Sequence, residues 1–170
     1  MPFYRSLLSL RALALGALVA SASCAEGGDT SGGATLDCGD SGAPALEVGT
    51  GLLGFLPIDP SGVPMVYGPQ GGYHVWVSAR AHGLGPRVLV RYGVHDTMSG
   101  DLLSRAGLQQ RLKLTANAAG DDAVGLVCFL DGKDPLENVG HEVVVWAAIE
   151  DACHEEIRAE AETKLLDPVQ

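Results

Sequence analysis

The sequence predicts an all-β fold, an antiparallel β-sandwich, and three observations point to it. From residue 45 to residue 165 apolar side chains recur at every second position, the period of a strand with one face buried. The runs are short and are separated by turn-forming stretches such as DPSG at 59–62, GLGP at 83–86 and TMSG at 97–100. Gly is abundant, at 23 of 170 residues, while aromatics make up only 5%, so the core must be built from Val, Leu and Ala.

The strands read in order from residue 44. ALEV at 45–48 enters GTG, and LLGFLPI at 52–58 breaks at Asp59. Residues 63–67 contain Pro64, which implies an edge position or a bulge. The clearest strand follows Gly71 and Gly72: Tyr73, Val75, Val77, Ala79 and Ala81 alternate with His74, Trp76, Ser78, Arg80 and His82, one face buried and the other wet. Val88, Val90, Tyr92 and Val94 share the inner face of residues 87–96. Leu108, Leu112 and Leu114 mark the next strand, and 117–122 reads as a loop in which Asp121 and Asp122 are solvated. Val124, Leu126, Cys128 and Leu130 form a buried face opposite Val127 and Phe129. Residues 131–135 are a loop, 141–150 alternate again, and the turn 151–154 leads into a last strand at 157–165. Glu, Ala, Lys and Arg there favour helix by propensity, but the unbroken alternation and the preceding hairpin partner favour strand. Seven to eight strands at this spacing indicate a sandwich of immunoglobulin-like type, with a closed barrel as the alternative.

Residues 1–23 read as a signal peptide. Arg5 and Arg11 supply the positive start, residues 12–20 a short apolar core, and Ser21-Ala22-Ser23 a small-residue cleavage region. Cys24 follows directly, and the pattern resembles the lipobox of bacterial lipoproteins, in which that Cys is acylated and opens the mature chain. Ser21 departs from the Leu, Val or Ile the family prefers. On this resemblance the partner is the membrane, reached through a lipid anchor. Ala25 in place of Asp then implies, by the sorting rule of enteric bacteria, the outer membrane. Residues 24–43 are rich in Gly, Ser and Asp and poor in apolar bulk, the composition of a flexible linker. The domain occupies 44–170.

LEVGTG at 46–51, YGPQGGYHVWV at 67–77 and VVVWAAIEDACHEE at 143–156 also resemble the single immunoglobulin-like domain of a group of uncharacterised, predicted bacterial lipoproteins. The resemblance implies a fold and an envelope address, and no activity.

Net charge is −10 at pH 7; without Arg5 and Arg11 there remain 9 basic against 21 acidic residues, or −12. Such a balance argues against a nucleic-acid partner, which needs clustered Lys and Arg. Export permits disulfides. Removing Cys24 leaves Cys38, Cys128 and Cys153. In an immunoglobulin-like layout the start of the first strand and the last hairpin share an end, which favours Cys38–Cys153, with Cys128–Cys153 the rival.

The candidate metal ligands are His154, Cys153 and His74, with Glu155 and Glu156 beside the first two. His74 and His82 share a strand face, but eight residues of strand span about 26 Å, too far for one ion. The bland reading is surface His in an acidic loop. For His74 it is a structural imidazole whose hydrogen bond to a loop carbonyl fixes the Gly71-Gly72 connection; the functional reading is a polar and aromatic patch for a ligand. Ser78 and Ser104 lack a GxSxG elbow, and no phosphate-binding glycine motif is present, so no enzyme and no cofactor are expected. The expected role is binding or structural, with another envelope protein as partner; the alternative is a periplasmic metal-binding protein using His and Cys153.

Overall fold

The computed structural model describes residues 42–69, 71–132 and 134–169, all within one compact unit. The signal peptide, Cys24, Cys38 and nearly all of the linker lie outside the described residues. Ten strands form: β1 Ala45–Thr50, β2 Leu56–Pro57, β3 Val63–Tyr67, β4 Tyr73–His82, β5 Arg87–Asp96, β6 Gln109–Lys113, β7 Thr115–Asn117, β8 Gly120–Phe129, β9 Glu142–Glu150 and β10 Ile157–Val169. A 3-10 turn at Pro135–Asn138 separates β8 from β9. The fold is the expected all-β sandwich. The count exceeds seven to eight because β2 and β7 are pieces of two and three residues.

One sheet is centred on β4, which pairs with β8 along one edge and with β1 and β3 along the other. The other sheet runs β6-β5-β9-β10, every pair antiparallel. Between them lies an aliphatic core. Val75, Val77, Ala79 and Ala81 of β4 and Leu126 and Cys128 of β8 come from the first sheet, Val90 and Val94 of β5 and Val143, Val145, Ala147 and Ile149 of β9 from the second. The pleat explains the choice of residues, since every second side chain faces inward.

The last strand joins the layers. Residues 157–164 pair antiparallel with β9, and from Leu165 the same strand runs parallel to β3. Its outer residues Arg158, Glu160, Glu162 and Lys164 are exposed while Thr163 and Leu165 are buried. Burial of that alternating face outweighs helix propensity. The parallel pair is the one departure from the expected antiparallel pattern.

Two stretches differ from the sequence reading. Residues 117–122 form a hairpin, not a loop: Asn117 pairs with Gly120 and Thr115 with Asp122. The second difference is a bulge in β8. Val77 faces Leu126 and Ala79 faces Ala123, so Val124 and Gly125 together oppose Ser78. Gly125 adopts φ +67°, a left-handed conformation that glycine takes without strain. The extra residue shifts the phase of alternation. Ala123 therefore faces the core, and Val124, expected inside, is only half-buried.

Candidate functional site

The outer face of β4 is not uniformly wet. His74 and Ser78 are buried, at 5% and 0% exposure, because different parts of the chain cover different halves of this face.

Toward the C-terminal half the cover is the β1–β2 loop. Ser78 Oγ donates to the Gly51 carbonyl at 2.9 Å, the Gly125 N–H of the bulge donates to the same oxygen at 3.1 Å, and Thr50 Oγ1 donates to the Trp76 carbonyl at 2.8 Å. Arg80 lies under the Phe55 ring, 4.3 Å from its centroid. Its guanidinium meets Asp122 bidentately, Nε to Oδ1 at 2.8 Å and Nη2 to Oδ2 at 3.0 Å, and Asn117 Nδ2 donates to Oδ2 at 2.8 Å. Asp122, read from the sequence as solvated, is thus 8% exposed and ion-paired. The hairpin places it directly opposite Arg80 in the β4–β8 register.

The N-terminal half is an aromatic patch. The Gly68-to-Gly72 connection is closed by the Gly68 N–H donating to the Gly72 carbonyl at 3.0 Å and the Gly71 N–H to the Gly68 carbonyl at 3.0 Å. Gly71 and Gly72 both take φ +85°, which is why two glycines open the strand. Beside this loop the His74 ring meets Trp76 edge-on, centroids 4.7 Å apart at 83°, and Phe129 at 6.1 Å. Arg105 stands over Phe129, 5.2 Å from the centroid, within cation–π range. Phe129 is 38% exposed.

Neither ring nitrogen of His74 has a hydrogen-bond partner. The expected bond to a loop carbonyl does not form. Burial alone holds its pKa below the ordinary histidine value, so the ring is neutral, with one donor and one acceptor unused. A buried unsatisfied polar group costs about 1–3 kcal/mol.

The other sequence candidates lie elsewhere. Asp151, at the β9–β10 turn, has a side chain 2% exposed and accepts from the backbone N–H groups of Gly85, Cys153 and His154 at 2.6–2.8 Å and from His154 Nδ1 at 3.0 Å. Burial by itself would raise its pKa; the Gly85 and Cys153 N–H groups, then His154, outweigh that and hold it at about 2. His154 is therefore a partner of Asp151. Gly85 lies beyond the C-terminal end of β4 and His74 near its start, so strand rise separates His74 from His154 and Cys153 by far more than a metal coordination sphere. Among the described residues no group of three or more His, Cys, Asp or Glu is placed to hold a metal ion.

Ala45 pairs with His82 and Asp151 with Gly85, so the start of β1 and the last hairpin do share one end of the sandwich. Cys128 is a free, buried thiol beside Ser104, which removes the Cys128–Cys153 alternative; burial pushes it up to about 12 and keeps it protonated and unreactive. A second carboxylate node mirrors the first: Asp96 accepts from Met98, Ser99 and His141 Nδ1 at 2.8–3.0 Å. Ser78 and Ser104 serve the backbone, donating to Gly51 and accepting from the Val94 N–H.

Sequence reasoning missed Phe129 as a neighbour of His74, and Arg105 as a neighbour of Phe129. The Phe129↔His74 pairing depends on the bulge register, and no local signal encodes it. No protein-family model matches the chain, and no curated protein does.

Proposed function

We propose that this is an exported, lipid-anchored envelope protein whose immunoglobulin-like β-sandwich is a binding module, and that the module engages another exported protein through the His74, Trp76 and Phe129 face. The chain is acylated at Cys24, carried on the 24–43 linker at the outer membrane, and closed at the base of the domain by a Cys38–Cys153 disulfide. The observation that carries the binding role is the buried, partnerless imidazole of His74 beside an exposed aromatic ring. An architectural His is ordinarily hydrogen-bonded, as His154 is through Nδ1 to Asp151. Aromatic and Arg side chains are the groups interfaces favour.

Two measurements test it. A photocrosslinking residue placed at Phe129 in native envelopes should give one defined adduct that His74→Ala abolishes. The same probe at Val144, on the outer face of the other sheet, should give none. Equal adducts from both positions would defeat the binding face. Intact mass of detergent-extracted protein should show acyl chains on Cys24, and Cys24→Ala should move the protein to the soluble fraction. A membrane-bound Cys24→Ala variant would remove the anchor.

A further inference from the structure

A second surface, far from His74, is built against the charge of the rest of the chain. At the Gly85 end of the second sheet lies an open cleft of about 540 Å³, lined by Arg87, Leu89, Arg111, Lys113, Glu150 and Asp151. In the β5–β6 register Arg87 stands directly across from Lys113, and Leu89 across from Arg111. Arg111 and Lys113 are two residues apart on β6, so all three cations project from one face. Like charges directly opposed across a strand pair are destabilising. None of the three has an ion-pair partner among the described residues.

The two carboxylates at the cleft do not pair directly with them. Glu150 accepts from Arg91 Nη1 at 2.9 Å, and Asp151 is 2% exposed with its oxygens taken by Gly85, Cys153 and His154. A chain with 21 acidic and 11 basic residues nevertheless gathers three cations without a direct ion-pair partner around one cleft. Two are Arg, whose planar fork matches an oxyanion in two parallel hydrogen bonds.

We propose that this cleft binds a small multivalent oxyanion, bearing phosphate or carboxylate groups, which bridges Arg87, Arg111 and Lys113. The acidic remainder of the surface repels long polyanions, so the ligand is compact. The anion removes the repulsion between Arg87 and Lys113, so binding and stability are coupled.

The test uses the full chain in a buffer of low ionic strength, titrated separately with inorganic phosphate and with citrate, read by calorimetry and by thermal unfolding. Saturable binding of either, with a rise in Tm, is expected; which of the two binds more tightly assigns phosphate or carboxylate chemistry. Arg111→Gln should weaken that binding about tenfold. Arg87→Gln should weaken it similarly and, with no anion present, should raise Tm by relieving the like-charge pair. These are exposed positions, so circular dichroism will confirm that the variants fold. No saturable binding of either anion, or equal binding by the triple variant R87Q/R111Q/K113Q, would overturn the proposal and leave the cations as protection of an edge strand.

Discussion

The two ends of β4 treat their buried polar groups in opposite ways. Near His82, Ser78 is bonded to Gly51, Arg80 is forked onto Asp122 with Asn117 in support, and just past the strand Asp151 gathers three backbone N–H groups and a His. Near Tyr73, His74 is equally buried and has no partner for either nitrogen. Satisfied polar groups lock loops to the sandwich, and their removal costs stability. An unsatisfied one costs stability while it remains, and folding alone gives no reason to keep it. The contrast separates architecture from candidate site within a single strand.

The largest effect is expected at Asp151. Asp151→Ala strands the N–H groups of Gly85, Cys153 and His154, and should lower the unfolding free energy by about 3 kcal/mol in urea titrations. The same carboxylate sets an acid limit. Its folded pKa of about 2 lies below the ordinary 3.8, so its contribution is fully present above pH 3.8 and is lost as pH falls toward 2. The variant should therefore unfold with a flatter acid profile over that window. An unchanged profile would mean the node is not what ties the β9–β10 turn to Gly85.

A smaller loss is expected at the Arg80–Asp122 pair, whose side chains are 19% and 9% exposed. Asp122→Ala leaves a largely buried guanidinium without its carboxylate and should cost about 2 kcal/mol. A double-mutant cycle with Arg80→Met should show positive coupling, because the double variant leaves no orphaned charge. Independent losses would place Asp122 in solvent after all.

The smallest effect sharpens the comparison most. His74→Phe removes no hydrogen bond, relieves the unmet donor and acceptor and keeps the ring against Trp76, so stability at pH 8 should rise, by about 1 kcal/mol once the larger ring is accommodated. The wild-type imidazole titrates below its ordinary 6.5. Protons then bind the unfolded chain preferentially, and wild-type stability should fall as pH drops below 6.5. The Phe variant should lack that part of the decline. A loss above about 2 kcal/mol at pH 8 would show that His74 is a structural hydrogen-bonding residue like those at the other end.

Much of this architecture was legible in one dimension. Alternation located β4, β5, β9 and β10, and the Val, Leu and Ala of their inner faces are the core. The candidate site was half legible: His74 and Trp76 stood out on a strand after two glycines. Phe129 and Arg105 did not, because they reach the patch through a strand register and a loop far along the chain. Asp122 was misread for the same reason, since a run of two Asp near Gly looks solvated until its hairpin is laid against Arg80.

The sequence by itself determined that β4, β5, β9 and β10 are strands and which side of each carries the aliphatic core, because the pleat is a property of each strand alone and burial rewards every second side chain. Only the tertiary structure decided which strands meet. The bulge at Val124 and Gly125, the passage of β10 from one sheet to the parallel edge of the other, and the isolation of His74 all depend on pairings between residues distant in the chain. Hydrogen-bond partners are chosen there by geometry across strands, which no local pattern records.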